Sequence, residues 1–313
     1  MATLTSRITL KGDEPDGPED YLSTSLGVIF PDDVTNQHGD AEHSLVYASP
    51  KLPRPLLIEL AEPEGETDRR LFSHYLWNAS LLLAEFIERD SLEAGSEEME
   101  TVGLGEGLSF DTRGLSTVEL GAGTALPSIM AGLLGAKSVA VTDYPAPAVM
   151  KTLRDNVARN IKPEFAPLPN DSRSSLPVTT DITVEGHEWG VFDSSSSSFP
   201  ASHAHTADRL FVADCLWMPW QHANLRRSIN HFLKKTSSAR AWVVAGFHTG
   251  RAKMAGFYDA EALREEGVEI ERIWERDCDG VERAWDVERE DDITERKRWL
   301  VVAVLKRCEG MIE

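Results

Sequence analysis

Apolar and polar positions along the chain alternate between two kinds of segment. Short apolar runs bounded by turn residues lie at residues 117–120, 138–142, 209–213 and 241–246, the kind of strand that a parallel sheet buries on both faces. Runs at 179–184, 268–276 and 298–305 bring the expected strand count to seven. Between them, apolar residues recur every three or four positions, the spacing of one helix face. Residues 71–89 read as such a helix, with Leu76, Ala79, Leu83, Phe86 and Ile87 on its apolar side and Trp77 and Asn78 early in it. Residues 128–134, 148–161, 221–235 and 254–266 read the same way, with Val149, Leu153, Val157 and Ile161 in the second and Leu225, Ile229, Phe232 and Leu233 in the third. Strands alternating with helices predict an α/β fold, a doubly wound, seven-stranded, Rossmann-like sheet.

The remaining segments divide the chain. Residues 1–68 are expected to form a partly flexible N-terminal arm: polar and rich in Gly, Pro and acid to about residue 20, then carrying short apolar runs at 26–30 and 56–58 that fit either two hairpin strands or a loosely packed arm. Residues 69–313 are expected to form the main domain, with loops at 90–113, 162–176 and 286–292 and a flexible Ser-rich surface insertion at 193–207. There are no internal repeats.

Residues 117–145 carry the chemistry. A strand runs into Gly121-Ala122-Gly123, a turn that lets a ligand approach bare backbone. Pro127 suits the first turn of the helix that follows, Gly135 its left-handed end, and Asp143 stands at the carboxyl end of the next strand, where open α/β sheets bind ligands. A nicotinamide dinucleotide site would place a small residue where Leu126 stands, so that fingerprint fits poorly. S-adenosylmethionine has no phosphate; it needs only bare backbone and an acid for its ribose hydroxyls. The plain alternative is an α/β turn that merely requires two glycines.

Charge and cysteine content narrow the partners. The 313 residues carry a net charge of −20, which repels phosphate backbones and anionic membranes and suits a basic protein or a small cationic amine, although acidity for solubility alone gives the same number. Cys215, Cys278 and Cys308 form no C-x-x-C, which speaks against a disulfide framework or zinc site and for a reducing compartment. The first twenty residues lack the apolar stretch of a secretory signal, and no run is long enough to span a bilayer. A monomer in the cytoplasm or nucleus, with no nucleic-acid and no membrane partner, is expected. His203 and His205 lie in the Ser-rich insertion without a partner acid or cysteine nearby and read as loop residues, so no metal is expected.

Four stretches together resemble methyltransferase family 16 of the seven-β-strand, class I S-adenosylmethionine-dependent enzymes: Leu76-Trp77-Asn78-Ala79, Glu119-Leu-Gly-Ala-Gly-Thr-Ala-Leu-Pro127, Thr142-Asp143-Tyr144-Pro145 and Glu185-Gly-His-Glu-Trp189-Gly190. Within it, the chain looks like the fungal branch described either as elongation-factor N-terminal and lysine methyltransferase or as nicotinamide N-methyltransferase-like. The resemblance implies that Trp77 closes over the methionine end of S-adenosylmethionine, Gly121, Ala122 and Gly123 present backbone to it, Asp143 holds the ribose, Trp189 lies near the adenine and Ala213 touches the cofactor from below. It also implies an acid and an aromatic after the fourth strand, here Asp214 and Trp217 as the catalytic pair. Tyr or Phe is usual at the second position; Trp lacks the phenol but keeps a face for a cation. Met218-Pro219-Trp220 and Gly246-Phe247-His248 depart from the branch as well, on the substrate side.

Each position has a bland alternative: Trp77 as a core anchor, Trp189 as a strand-end staple, Asp214 as the N-cap of a short turn, His248 as a loop histidine. The function expected is N-methylation of a protein amine, lysine or N-terminal. The alternatives are a small-molecule N-methyltransferase acting on a pyridine or metabolite amine, and a partner protein that binds S-adenosylmethionine without turnover.

Overall fold

The computed structural model describes residues 3–12, 35–39, 43–62, 75–93, 105, 107–167, 178–193 and 198–313. Strands β1 (Ile8–Leu10), β2 (Gln37–His38), β3 (Leu45–Tyr47), β4 (Leu56–Ile58) and β5 (Leu76–Trp77) precede helix α1 (Asn78–Glu93). The main sheet then begins: β6 (Ser116–Leu120), α2 (Leu126–Leu133), β7 (Ser138–Asp143), α3 (Pro147–Asn160) and β8 (Ile182–Gly186). After α4 (Phe199–Ser202) come β9 (Arg209–Ala213), α5 (His222–Phe232), β10 (Arg240–Gly246), α6 (Arg251–Ala255) and α7 (Ala260–Glu265). The chain closes with β11 (Val268–Asp277), β12 (Glu282–Ala284), α8 (Ile293–Arg298) and β13 (Trp299–Arg307).

Eight strands form one sheet in the order β12-β11-β13-β10-β9-β6-β7-β8. The pairs from β10 through β8 are parallel, while β13 runs antiparallel between β10 and β11. The order reverses between β6 and β9: the chain winds outward through β7 and β8, then returns to β9 and winds the other way. At such a switch point the loops leaving adjacent strands diverge, and a cleft opens at their carboxyl ends.

Burial on both faces explains the near-continuous apolar strands. In β10, Trp242 and Val244 enter the core under α1–α3, while Ala241, Val243 and Ala245 enter the core under α5 and the 251–263 segment. The strand's two-residue period thus serves two cores at once. Helix α2 starts at Ala125, whose φ of 64° is left-handed and which offers no capping side chain. The buried Glu119 carboxylate supplies the cap instead, accepting the Ser128 amide hydrogen at 3.1 Å. Gly135, just past the helix, has φ 87°, which the absence of a Cβ permits.

The N-terminal strands β1, β3 and β4 make a small sheet, with Leu4, Leu45, Tyr47, Leu56 and Ile58 continuing the core of the main domain. Arg7 bridges to Glu88 of α1 at 2.9 Å and donates to the Tyr47 hydroxyl at 3.1 Å. On the other edge, the Asn156 and Asn160 carboxamides of α3 take the place of a neighbouring strand. Asn160 accepts from the Leu57 amide at 3.1 Å and donates to its carbonyl at 2.9 Å, and Asn156 does the same for Glu59 at 2.8 and 2.9 Å.

Several expectations are corrected. All seven expected strands are present, but an eighth, β12, adds to the sheet edge. The helix expected from residue 71 begins at Asn78; Leu76 and Trp77 pair with His38 and Gln37 as a short antiparallel strand, and residues 71–74 lie outside the described residues. The single helix expected at 254–266 is instead two short helices, α6 and α7, separated by a 3-10 turn at Gly256–Tyr258 and by Asp259, which caps α7 through the Ala262 amide. The acidic stretch 286–292 joins β12 to α8, with Asp292 in a capping box with Glu295. Near the N-terminus, residues 4–10 are folded and Leu4 is buried, whereas the run at 26–30 lies outside the described residues. Within the Ser-rich stretch, residues 194–197 are likewise outside, but Phe199, Pro200 and Ala207 are buried against α5 and β9.

Candidate active site

A cleft of about 870 Å³ opens at the carboxyl ends of β6, β7 and β9. It is lined by Trp77, Gly121, Ala122, Gly123, Asp143, Trp189, Ala213, Asp214 and Trp217, so every site residue expected from the sequence meets in one place. Tyr75, Ser80, Thr124, Tyr144, His187, Glu188, Cys215, Met218 and Gln221 complete the wall. Tyr144, His187, Glu188 and Met218 stand inside stretches already singled out; Gln221 carries no sequence signal of its own.

The floor is the turn after β6. Gly121 has φ 66° and Gly123 φ 54°. A Cβ on Gly121 would stand 2.6 Å from Cys215 Sγ and 3.0 Å from Trp189 Cζ2, so close packing as well as φ requires glycine there. A Cβ on Gly123 would meet nothing within 4 Å. The Asp143 carboxylate, 7% exposed, accepts the Gly123 amide hydrogen through Oδ2 and the Tyr144 amide hydrogen through Oδ1, both at 2.7 Å. Burial pushes its pKa up to about 6 against those two hydrogen bonds. A carboxylate has about four acceptor sites; with two filled from behind, capacity remains for hydroxyls entering the cleft. Behind Asp143, burial lifts Glu119 to about 8.

The opposite wall comes from the exit of β9. Asp214 is 7% exposed and has φ 59°, an uncommon conformation for a residue other than glycine. Its amide donates to the Val244 carbonyl at 2.8 Å, and its Oδ1 accepts the Gly246 amide hydrogen at 3.2 Å. The 3-10 turn that follows, Pro219–Gln221, has Met218 at its N-cap position, so Asp214 is not the cap of that turn. Burial raises the Asp214 pKa, opposed by His248 and by the Gly246 amide. His248 Nε2 lies 3.7 Å from Asp214 Oδ1, and the imidazole stacks on Trp77 with centroids 4.6 Å apart. The reading of His248 as a plain loop histidine missed this contact; its signals were its place directly after β10 and the departure of Gly246-Phe247-His248 from the branch.

Aromatic rings border the mouth. Trp217 meets Trp220 edge to face at 6.4 Å, and Trp220 is 71% exposed. Trp189 approaches the glycine turn from the β8 exit. There Gly190 donates its amide hydrogen to Ser228 Oγ at 2.9 Å, and that hydroxyl also pairs with His187 Nε2 at 3.1 Å. Burial lowers His187 to about 4, leaving it neutral near pH 7.

Parallel strands carrying a glycine turn and a buried acid at a switch-point cleft, with β13 inserted antiparallel, define an S-adenosylmethionine-dependent methyltransferase. The sequence profile of methyltransferase family 16, described as lysine methyltransferase, matches residues 64–257. The chain belongs to this family. It is 29% identical over 213 residues, 66% of this chain and 70% of the relative, to "Protein N-terminal and lysine N-methyltransferase EFM7" of Gibberella zeae. The proteins of the same name from Schizosaccharomyces pombe (27% identity, covering 66% of this chain and 68% of the relative) and Kluyveromyces lactis (26%, covering 71% and 68%) are also similar. Among solved structures, the ribosomal protein L11 methylase of Lactobacillus delbrueckii subsp. bulgaricus overlaps 74% of this chain and 78% of its own, with a TM-score of 0.38 at 15% identity. No helix of the described residues is long and apolar enough to cross a membrane.

Proposed function

We propose that this methyltransferase acts on a protein amine, a lysine side chain or an N-terminal amine. The observation that carries the reading is the buried Asp214 carboxylate, which lies in one cleft with the glycine turn and with an aromatic border at Trp217. The relatives' printed activity on protein N-termini and lysines supports it.

The residues fit the family's methyl donor. The backbone of Gly121–Gly123 offers a surface without side chains, Asp143 keeps acceptor capacity for two ribose hydroxyls, and Trp77 and Trp189 supply flat apolar walls. S-adenosylmethionine, when bound, would supply a sulfonium-activated methyl group, which a neutral amine takes in line as the S–CH3 bond breaks and S-adenosylhomocysteine leaves. Asp214 accepts a hydrogen bond from the incoming amine, orients its lone pair and stabilises the ammonium product. Trp217 presents a ring face to the same cation, worth about 0.5–2 kcal/mol. Excluding water around the amine strengthens both interactions. The 217–220 departure keeps a small-molecule amine as the second reading.

Calorimetric titration with S-adenosylhomocysteine tests the cofactor assignment. Transfer from tritiated S-adenosylmethionine into a fungal lysate, split into protein and small-molecule fractions, tests the acceptor. Label in protein is the expected result. Label confined to the small-molecule fraction would move the assignment to the second reading, and no binding by folded protein would defeat both.

A further inference from the structure

Asp214 and Trp77 reach the cleft from different parts of the chain, and one side chain touches both. Trp77 arrives from β5, held by pairing with Gln37 and by the Asn78 carboxamide, which donates to the Thr35 carbonyl at 2.8 Å. Asp214 arrives from β9. His248 arrives from the exit of β10, where the Gly250 amide donates to the Phe247 carbonyl at 2.8 Å and closes a tight turn around His248 and Thr249. The turn is pinned at its base: Phe247 is buried, and the Arg251 guanidinium lies 4.1 Å from its ring centroid while bonded to Glu275 at 2.6 Å. Gly246 serves both partners. Its amide hydrogen bonds Asp214, and a Cβ in its place would come within 3.1 Å of His248 Nδ1.

We propose that His248 is a positioning residue for methyl transfer, bracing Trp77 by ring stacking and facing the Asp214 carboxylate with a polar ring nitrogen. The proposal rests on the reading that Trp77 walls the donor and Asp214 meets the amine. The 3.7 Å separation from Asp214 Oδ1 is wider than a hydrogen bond, so the polar edge of the imidazole faces the carboxylate without occupying its acceptor sites. The ring planes of His248 and Trp77 are 24° apart, which fixes the tilt of the indole at the cleft edge. The two contacts serve different ligands: the stack acts on the donor, the polar edge on the amine.

Two variants separate them. His248→Phe keeps a ring for Trp77 and removes the nitrogen facing Asp214; His248→Gln keeps a polar N–H at similar reach and removes the ring. Each is measured for S-adenosylhomocysteine affinity by calorimetry. Each is also measured for kcat and KM with tritiated S-adenosylmethionine and a mixed peptide library bearing free α-amines and lysines. His248→Phe is expected to hold the wild-type Kd and lose about tenfold in kcat, the loss of one polar contact to the Asp214 carboxylate. His248→Gln is expected to weaken S-adenosylhomocysteine about two- to tenfold, the worth of one ring stack, while keeping most of kcat. Wild-type values for both variants would overturn the proposal. So would equal losses of Kd and kcat in both together with a lowered Tm, because that pattern marks a merely structural side chain. A wild type that binds S-adenosylhomocysteine but labels no peptide would overturn the acceptor reading and with it the Asp214 half, and the Kd of His248→Gln would then decide the Trp77 half alone.

Discussion

Asp143 Oδ2 accepts the Gly123 amide hydrogen at 2.7 Å, tying the acid at the end of β7 to the turn that leaves β6. The same bond holds the turn open and orients the carboxylate into the cleft. Burial has raised this acid to about 6, so the charged form that best accepts ribose hydroxyls is lost as pH falls through that value. S-adenosylhomocysteine affinity, measured by calorimetry between about pH 8 and pH 5, is expected to weaken with a step near 6. Asp143→Asn removes that step and costs about tenfold or more at the upper end, the loss of a charged hydrogen-bond acceptor.

Gly121 and Gly123 both sit at positive φ, but a methyl group on each meets different surroundings. Gly121→Ala drives Cβ against Cys215 and Trp189 and is expected to lower stability by about 2–4 kcal/mol, strain and overpacking together. Gly123→Ala has only the backbone cost, about 1 kcal/mol, but its methyl group lies beside the donor surface. Urea denaturation should rank Gly121→Ala as the less stable variant. Calorimetry should show Gly123→Ala folded and impaired in S-adenosylhomocysteine binding.

The cleft was legible because its chemistry is local. Strand, glycine turn, helix and acid lie within residues 117–145, and apolar runs such as 209–213 and 241–246 announce strands buried on both faces. What was hidden depends on contacts between distant parts of the chain. Leu76 and Trp77 continue an apolar rhythm that suits a helix, yet they are held as a strand by Gln37 and His38, some forty positions away. Strand β12, Glu282–Ala284, has no apolar pattern because it lies at the sheet edge. His248 gains its place only when the exits of β5, β9 and β10 converge, and neither spacing nor propensity encodes that convergence.

Glu119 is fully buried, caps α2 through Ser128 and leaves its other oxygen, Oε1, without a protein partner. Its pKa rises from 4.5 to about 8 on folding, chiefly by burial. Between those values the native state holds the proton more often than the unfolded chain, so this group's contribution to stability falls as pH rises and is gone above about 8. Glu119→Gln keeps an acceptor for the Ser128 amide and cannot ionise. Its Tm should match wild type near pH 4.5 and exceed it increasingly toward pH 8, by about 2–4 °C for each kcal/mol of relieved burial cost. An equal offset at all pH values would show that the carboxyl is not the titrating cause.

Trp217 lines the cleft with Asp214, and Trp189 lies beside the glycine turn. If Trp217 meets the amine, Trp217→Ala should raise KM for the acceptor or lower kcat by about tenfold, the upper part of the cation–π range. S-adenosylhomocysteine affinity should stay within about twofold of wild type. Trp217→Phe should recover most of the loss, because the ring face is what the cation uses. A fall in S-adenosylhomocysteine affinity equal to the fall in acceptor turnover would place Trp217 on the donor instead.

The loop that carries His248 is anchored by a buried ionic cluster. Arg251 binds Glu275 at 2.6 Å and Asp291 at 2.8 Å, and Arg283 joins both acids at 2.7 and 3.1 Å. All of these side chains except Arg283 are almost wholly removed from solvent. Removing Arg251 leaves two buried anions to the partly exposed Arg283 and Arg289, so Arg251→Met is expected to destabilise the fold by about 3 kcal/mol, read from urea midpoints at unchanged m-value. Adding Asp291→Leu should recover part of that loss, because one stranded charge is gone and Arg283 still serves Glu275. The deficit should persist at high salt, since ions cannot screen charges they cannot approach. A deficit that vanishes in salt would mean that the cluster is wetter and looser than its burial implies, and that the β10 exit is not held by Arg251.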